Sequence, residues 1–219
     1  MHRFIGFMIT CLLLSLQGMG QDIKFSGYEK EDGREISFDV IGKFNGNILV
    51  YKSVHWNHKI SIFNKDMETL ETVKLDFIPE KTFNVDFIAY PDFFYMIYQY
   101  QKKNILHCMA VKMDAAAKKI GEPVELDTTQ IPIMADNKIY NTIFSENKQK
   151  IMVFKIQKKY EKFNIATLLL DSQFHVIHRG RFAREYDDRR DNYSEFALDN
   201  DGNFVFTFDS RPEGSSSWL

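Results

Sequence analysis

The feature that most constrains the fold of this 219-residue chain is a divergent internal repeat. Four segments, 38–51, 85–98, 141–154 and 194–207, align without gaps, each with a short apolar run, a polar turn and a stronger apolar run. Matching positions lie 47, 56 and 53 residues apart. The turns read Asn45-Gly46-Asn47, Pro91-Asp92, Asn147-Lys148-Gln149-Lys150 and Asp199-Asn200-Asp201-Gly202-Asn203. Such residues supply the backbone angles of a hairpin reversal, so each segment predicts two antiparallel strands, a and b. A fixed period also means that one supersecondary unit recurs and that its copies bury their faces on one another.

The remainder of each unit predicts two further strands, c and d. Residues 59–64 and 71–76 flank Lys65-Asp66-Met67, residues 105–113 and 123–126 flank 114–119, and residues 163–170 and 174–182 flank Asp171-Ser172-Gln173. An Asp recurs at this turn, as Asp66, Asp114 and Asp171, which suits a side chain that bonds nearby backbone amides. The runs are too short and too rich in β-branched and aromatic residues for helices. Ala115-Ala116-Ala117-Lys118-Lys119 is the exception and predicts a helical turn.

Tandem four-stranded units of this length resemble the blades of a β-propeller. Over residues 36–208 the chain resembles the secreted bacterial propellers of the TolB-like and NHL-like kind, by repeat pattern alone. The Gly-His and Trp-Asp dipeptides of WD repeats and the paired glycines of kelch repeats are missing. The expected fold is all-β, a partial propeller of about three and a half blades: 36–82, 83–138, 139–192 and an incomplete 193–219, after an N-terminal segment 21–35. A β-sandwich uses the same short strands and is the alternative. Residues 23–28 could supply one of the two strands absent from the fourth unit but not both, so the missing blades are expected downstream in a longer chain.

The first residues predict a cleaved signal peptide. Met1-His2-Arg3 is a basic start, residues 4–16 form a mainly apolar run too short to cross a bilayer comfortably, and Gly18 and Gly20 are the small residues cleavage requires. Cleavage after Gly20 places the protein in the periplasm, the envelope or the medium, with no transmembrane segment left. Cys11 lies inside the apolar run, where lipidation would not use it. Removing residues 1–20 takes away Arg3 and no acid, so the net charge goes from −2 to −3. That balance offers no general attraction to phosphate backbones and excludes nucleic acid as the expected partner. Cys108 is then the single cysteine, so no intramolecular disulfide forms, and its place in a strand marks it as core.

The resemblance implies that a strands line a central channel and that b–c and d–a connections emerge on one binding face. Its b–c loops would be His55-Trp56-Asn57-His58, Gln101-Lys102-Lys103-Asn104 and Lys158-Lys159-Tyr160-Glu161-Lys162; its d–a loops would span 77–82, 128–138 and 184–192. The candidate ligand-binding residues on that face are Trp56, Tyr160, Tyr186, Arg189 and Arg190. The charged run Arg184-Glu185-Tyr186-Asp187-Asp188-Arg189-Arg190-Asp191 would otherwise be a solvated loop.

A second constellation is the aligned a-strand position that holds Asp39, Asp86, Thr142 and Glu195, each followed by an apolar residue. Alternation would send the polar member toward the channel, where Asp39, Asp86 and Glu195 could converge for acid–base work; otherwise they are wet channel positions. His55 and His58 share a loop and are the candidate metal pair, though no acidic or thiol ligand lies near. Asp199-Asn200-Asp201-Gly202-Asn203 imitates a calcium loop but has its glycine in the wrong position, which leaves a hairpin turn. No nucleophile elbow, P-loop or dinucleotide fingerprint is present, and no cofactor is expected. The expected function is a secreted or envelope-associated binding or scaffold module for a protein, peptide or glycan. The alternative is a carbohydrate-active propeller enzyme.

Overall fold

The computed structural model describes residues 22–28, 36–79, 81–132, 139–159 and 161–211. The expected signal peptide, residues 1–20, and Tyr160 lie outside the described residues. Fourteen strands follow one another with no helix among the described residues. The first sheet is β1 (Ile36–Phe44), β2 (Asn47–Val54), β3 (Asn57–Phe63) and β4 (Thr69–Lys74). The second is β5 (Thr82–Ala89), β6 (Phe93–Lys102), β7 (Ile105–Asp114) and β8 (Val124–Gln130). The third is β9 (Tyr140–Phe144), β10 (Lys150–Lys159), β11 (Lys162–Asp171) and β12 (Val176–Glu185). The fourth has β13 (Asp191–Leu198) and β14 (Phe204–Ser210) alone. Each sheet is an antiparallel meander in sequence order, the form expected of strands joined by tight turns.

Three cores separate the four sheets. Leu49, Tyr51 and Ile60 of the first sheet pack with Phe94, Met96 and Tyr98 of the second. The second sheet turns Tyr95, Ile97 and Leu106 toward Ile151, Val153 and Leu168 of the third. The third turns Met152, Phe154 and Phe163 toward Tyr193, Leu198 and the Phe204-Phe206-Phe208 row of the fourth. Middle sheets are thus buried on both faces, which is why β6 reads Phe-Phe-Tyr-Met-Ile-Tyr with no polar alternation. Sheets stacked one after another in chain order are propeller blades in an arc that does not close on itself. The β-sandwich alternative fails, because a sandwich has one core between two sheets. Residues 22–28 form no strand, and Ile23, Phe25 and Tyr28 are exposed.

One turn recurs with a side-chain clamp. In the third unit the Asp171 carboxylate accepts the backbone N–H of Gln173 and His175, and in the second Asp114 does the same for Ala116 and Lys118. The residue at the fourth position then has positive φ: Phe174 at 64° and Ala117 at 57°. In the first unit the clamp is Asn64, which accepts from Asp66 and Glu68, with Met67 at φ 62°. The expected role of Asp66 is therefore corrected; an amide oxygen two residues upstream performs it. The same clamp closes the hairpin of the fourth sheet, where Asp199 accepts from Asp201 and Asn203 and Gly202 takes φ 95°. The calcium-like run is thus a clamped turn. Residues 115–119 hold a turn of this kind and not the expected helical one, since Asp114 draws their amides back toward itself.

These clamps couple the turns to pH. The Asp199 carboxyl is held below its ordinary 3.8 by the Asn203 side chain and then by the amides around it. For Asp171 burial pushes upward, but the amides of His175 and Gln173 and the His175 ring outweigh it. A lowered folded-state pKa means stability that is complete above the unfolded value, about 4, and lost as pH falls through the folded value. Asp199→Asn keeps the accepting oxygen but removes the titration. We expect its melting temperature to fall less steeply than the wild type's between pH 5 and 2; an unchanged acid limb would refute the coupling.

Candidate functional site at the third and fourth sheets

Where the b–c turn of the third unit meets the connection from β12 to β13, a concavity of ≈ 1180 Å³ opens. Tyr186, Arg189 and Arg190 line it, together with Lys158, Arg184 and Phe208. Tyr186 follows the last residue of β12 and is buried; its backbone N–H donates to the Glu161 carbonyl at 2.8 Å, which ties the connection to the turn. Lys158 Nζ donates to the Tyr186 hydroxyl at 2.6 Å and lies 4.5 Å from the ring centroid. Arg184 lies over Phe208 at 4.1 Å.

Register explains which charges face inward. Lys158 pairs with Phe163 on β11, and Phe163 pairs with Arg184 on β12, so all three share one face. Phe163 stacks on Tyr193 at 3.9 Å, so this face looks toward the fourth sheet. Lys162 and Glu185, also paired, lie on the opposite face. The Tyr193 hydroxyl is buried without a well-formed hydrogen bond. Burial pushes its pKa above 10, against the pull of the neighbouring Arg184 guanidinium.

Asp187 and Asp191 are engaged locally. Asp187 accepts from the Arg189 amide at 3.0 Å and lies 3.5 Å from Arg190 Nε. Asp191 accepts from the Asp187 amide and, at 2.7 Å, from Ser210 Oγ. Arg189 is exposed, whereas Arg190 is half-buried and held by Asp187.

The other expected members lie elsewhere. Trp56 packs edge-on to Phe83 of the second sheet at 5.9 Å and does not line the concavity. The b–c turn of the first unit is two residues, His55 at φ 49° and Trp56 at φ 65°, a type I′ geometry normally left to Asn-Gly. His58 is thereby drawn into β3, where it is buried and its Nδ1 meets the Tyr51 hydroxyl at 2.7 Å, while His55 stays exposed. The two histidines do not share a loop, and no group of three or more His, Cys, Asp or Glu among the described residues is placed to hold a metal.

The carboxylate ring does not assemble as the alignment suggests. Asp39 pairs with Tyr51, so it lies on the face that packs toward the second sheet; Asp86 pairs with Ile97 and faces the third. Thr142 pairs with Val153 and faces back toward the second, while Glu195 sits at φ 53° in a bulge of β13. A gapless alignment ignores the bulge between Val40 and Gly42, and a slip of one residue reverses the face of a side chain. Asp86 accepts from Asn84 Nδ2 at 3.0 Å. Neither this concavity nor a second one beside Phe44 and Asp114 contains Asp39, Asp86 or Glu195.

A polar network between the second and third sheets escaped sequence reasoning. Gln99, buried in β6, donates to the Tyr140 carbonyl at 2.8 Å and accepts from the Tyr140 N–H at 3.0 Å. Lys155 Nζ reaches Asp127 Oδ2 at 2.7 Å and Thr129 Oγ1 at 2.8 Å, and the Tyr140 hydroxyl donates to Asp127 at 2.9 Å. Burial raises the Tyr140 hydroxyl well above its ordinary pKa, so it stays a donor. Cys108 is wholly buried beside this network, and burial pushes its thiol up, which fits core and not nucleophile.

No family model and no curated protein matches the chain. Among solved structures it is similar to an endo-arabinase from Bacteroides thetaiotaomicron VPI-5482, at 8% identity and a TM-score of 0.42 over 81% of this chain and 71% of that one. A likeness at that score supports no statement about activity.

Proposed function

We propose that the protein is an exported, non-catalytic binding module that receives a protein, peptide or glycan partner at the concavity between its third and fourth sheets. The observation that carries this reading is the grouping of Lys158 and Arg184, near the ends of β10 and β12, with Tyr186 and Arg189 of the following connection around one recess, the connection being hydrogen-bonded to the b–c turn. Connections held by a rigid sheet framework are where recognition residues concentrate. The runner-up, a glycosidase working through Asp39, Asp86 and Glu195, needs convergent carboxylates, whereas Asp39 and Asp86 lie on faces toward different gaps and Glu195 sits in a bulge of β13.

Screening the protein against peptide and glycan arrays tests the reading, with two variants as controls. Arg189→Ala should weaken capture of the retained class several-fold and leave the melting temperature almost unchanged, because exposed charges carry within about 0.5 kcal/mol of folding energy. A glycan that is cleaved by the wild type and spared by Asp86→Asn would instead establish the enzyme. Export is part of the same proposal: the secreted protein should begin at Gln21, and a retained Met1 in N-terminal mass spectrometry would exclude cleavage.

A further inference from the structure

The second concavity, of ≈ 490 Å³, lies where the a–b turns of the first two units meet the c–d turn of the second. Phe44 and Ile62 give it an apolar floor, both being buried members of the first core. Leu70 joins them from β4 and is 57% exposed. A bulge brings it there: Ile62 pairs with Glu71 and Phe63 with Thr69, so Leu70 is the extra residue of its strand. Strict alternation would send Leu70 and Glu71 to opposite faces, whereas here both line one recess. Ala115 and Ala116, of the turn clamped by Asp114, line it too, and side chains this small leave the space open.

The charge on this recess has one sign. Glu71, Asp92 and Asp114 line it with Asn45 and Asn47, and among the described residues no lysine, arginine or histidine does. Lys118 and Lys119 follow on the same turn but do not line it, Lys119 being bonded to Glu122. One oxygen of Asp114 is taken by the amides of Ala116 and Lys118. Glu71 and Asp92 are exposed and, among the described residues, make no hydrogen bond or ion pair. The first concavity differs, its basic residues standing among as many acids. The carboxylates beside Leu70 are not grouped to hold a metal either. An apolar floor under unpaired acids is complementary to an organic cation with a hydrocarbon stem.

We infer that this recess is a second interaction surface, one that receives a lysine or arginine side chain of a partner protein. The methylene stem of that side chain would lie on Leu70 and Ile62 while its cation meets Glu71 and Asp92. Both features are needed: acids alone would hold any cation loosely, and the floor alone would hold any apolar side chain. The inference stands apart from the concavity at the third and fourth sheets and does not depend on what binds there.

Fluorescence anisotropy on the full chain tests it with two labelled peptides, one of alternating lysine and leucine and one with norleucine, which lacks the ammonium group, in place of each lysine. The lysine peptide should bind and weaken as salt is raised, and the norleucine peptide should bind about tenfold more weakly, the scale of one or two exposed charge contacts. Glu71→Gln combined with Asp92→Asn should cost the lysine peptide about the same factor and leave the melting temperature nearly unchanged. Leu70→Ser should weaken it several-fold through the lost floor. Equal affinity for the two peptides would overturn the basic occupant. Binding that survives the double substitution but is lost in Asp188→Asn would put the peptide in the first concavity and overturn the second surface. Displacement by free putrescine at the peptide's own concentration would overturn a protein partner in favour of a small amine. Absence of binding by the lysine peptide would overturn the inference outright and leave the reading of the first concavity standing.

Discussion

Replacing Gln99 by leucine is expected to lower stability by about 3 kcal/mol, although leucine matches the side chain closely in size. Gln99 is 2% exposed and serves both the N–H and the carbonyl of Tyr140 across the gap between the second and third sheets. Leucine would leave two buried backbone groups without partners, each costing roughly 1–3 kcal/mol, against an apolar gain of a fraction of that. Chemical denaturation with an unchanged m-value checks the figure. Gln99→Glu should be damaging too, since a carboxylate cannot donate to the carbonyl. A leucine variant as stable as the wild type would show that Tyr140 finds other partners.

Phe154→Ala should have a comparable effect with a different distribution. Phe154 is 2% exposed and meets Phe196 at 5.1 Å and Phe204 at 5.0 Å, one ring from each strand of the fourth sheet. Truncating a buried phenylalanine costs about 3–5 kcal/mol. A two-stranded sheet has little stability of its own, so the loss should fall on β13 and β14. Hydrogen exchange should show their amides exposed at a free energy well below that of β6 and β7, and the concavity should lose its ligand with them. Uniform loss of protection across all four sheets would mean that the fourth is not a separable unit.

Strand order and the stacking of repeated units were legible because hairpin turns and apolar runs are local signals. Facing was not legible, because it depends on single residues in turns and bulges. Asp86 and Thr142 keep the same register, against Ile97 and Val153, yet those two partners meet in one core from opposite sides, so aligned residues of neighbouring sheets face opposite ways. Asn64 and Asp66 can do the same chemistry two positions apart, so composition alone does not distinguish the clamp. His-Trp is a rare occupant of a type I′ turn, so the sequence points to a longer loop that would include His58.

Of the candidate site, the charged connection after β12 was visible in its composition, and Tyr186, Arg189 and Arg190 do lie together. Lys158 and Arg184 were not visible as a pair, because they come from different strands and meet through register. Gln99 lies in Tyr98-Gln99-Tyr100-Gln101, which reads as the polar fraying end of a strand; only the approach of the next sheet turns it inward.

The three gaps between sheets use unlike materials: aliphatic and aromatic packing in the first, a glutamine-clamped polar network in the second, stacked rings in the third. In a repeat built of identical units any blade could follow any other, and duplication or loss of one would leave compatible neighbours. Here each sheet carries an address for the sheet that follows it. A second copy of the unit 82–130 inserted after itself would set Gln99 against a strand that begins at Thr82 instead of Tyr140, with apolar Phe83 next in line and Lys155 absent from the facing position. The order of the units is therefore fixed by chemistry as well as by the chain that joins them, and divergence among the repeats is the means by which that order is written.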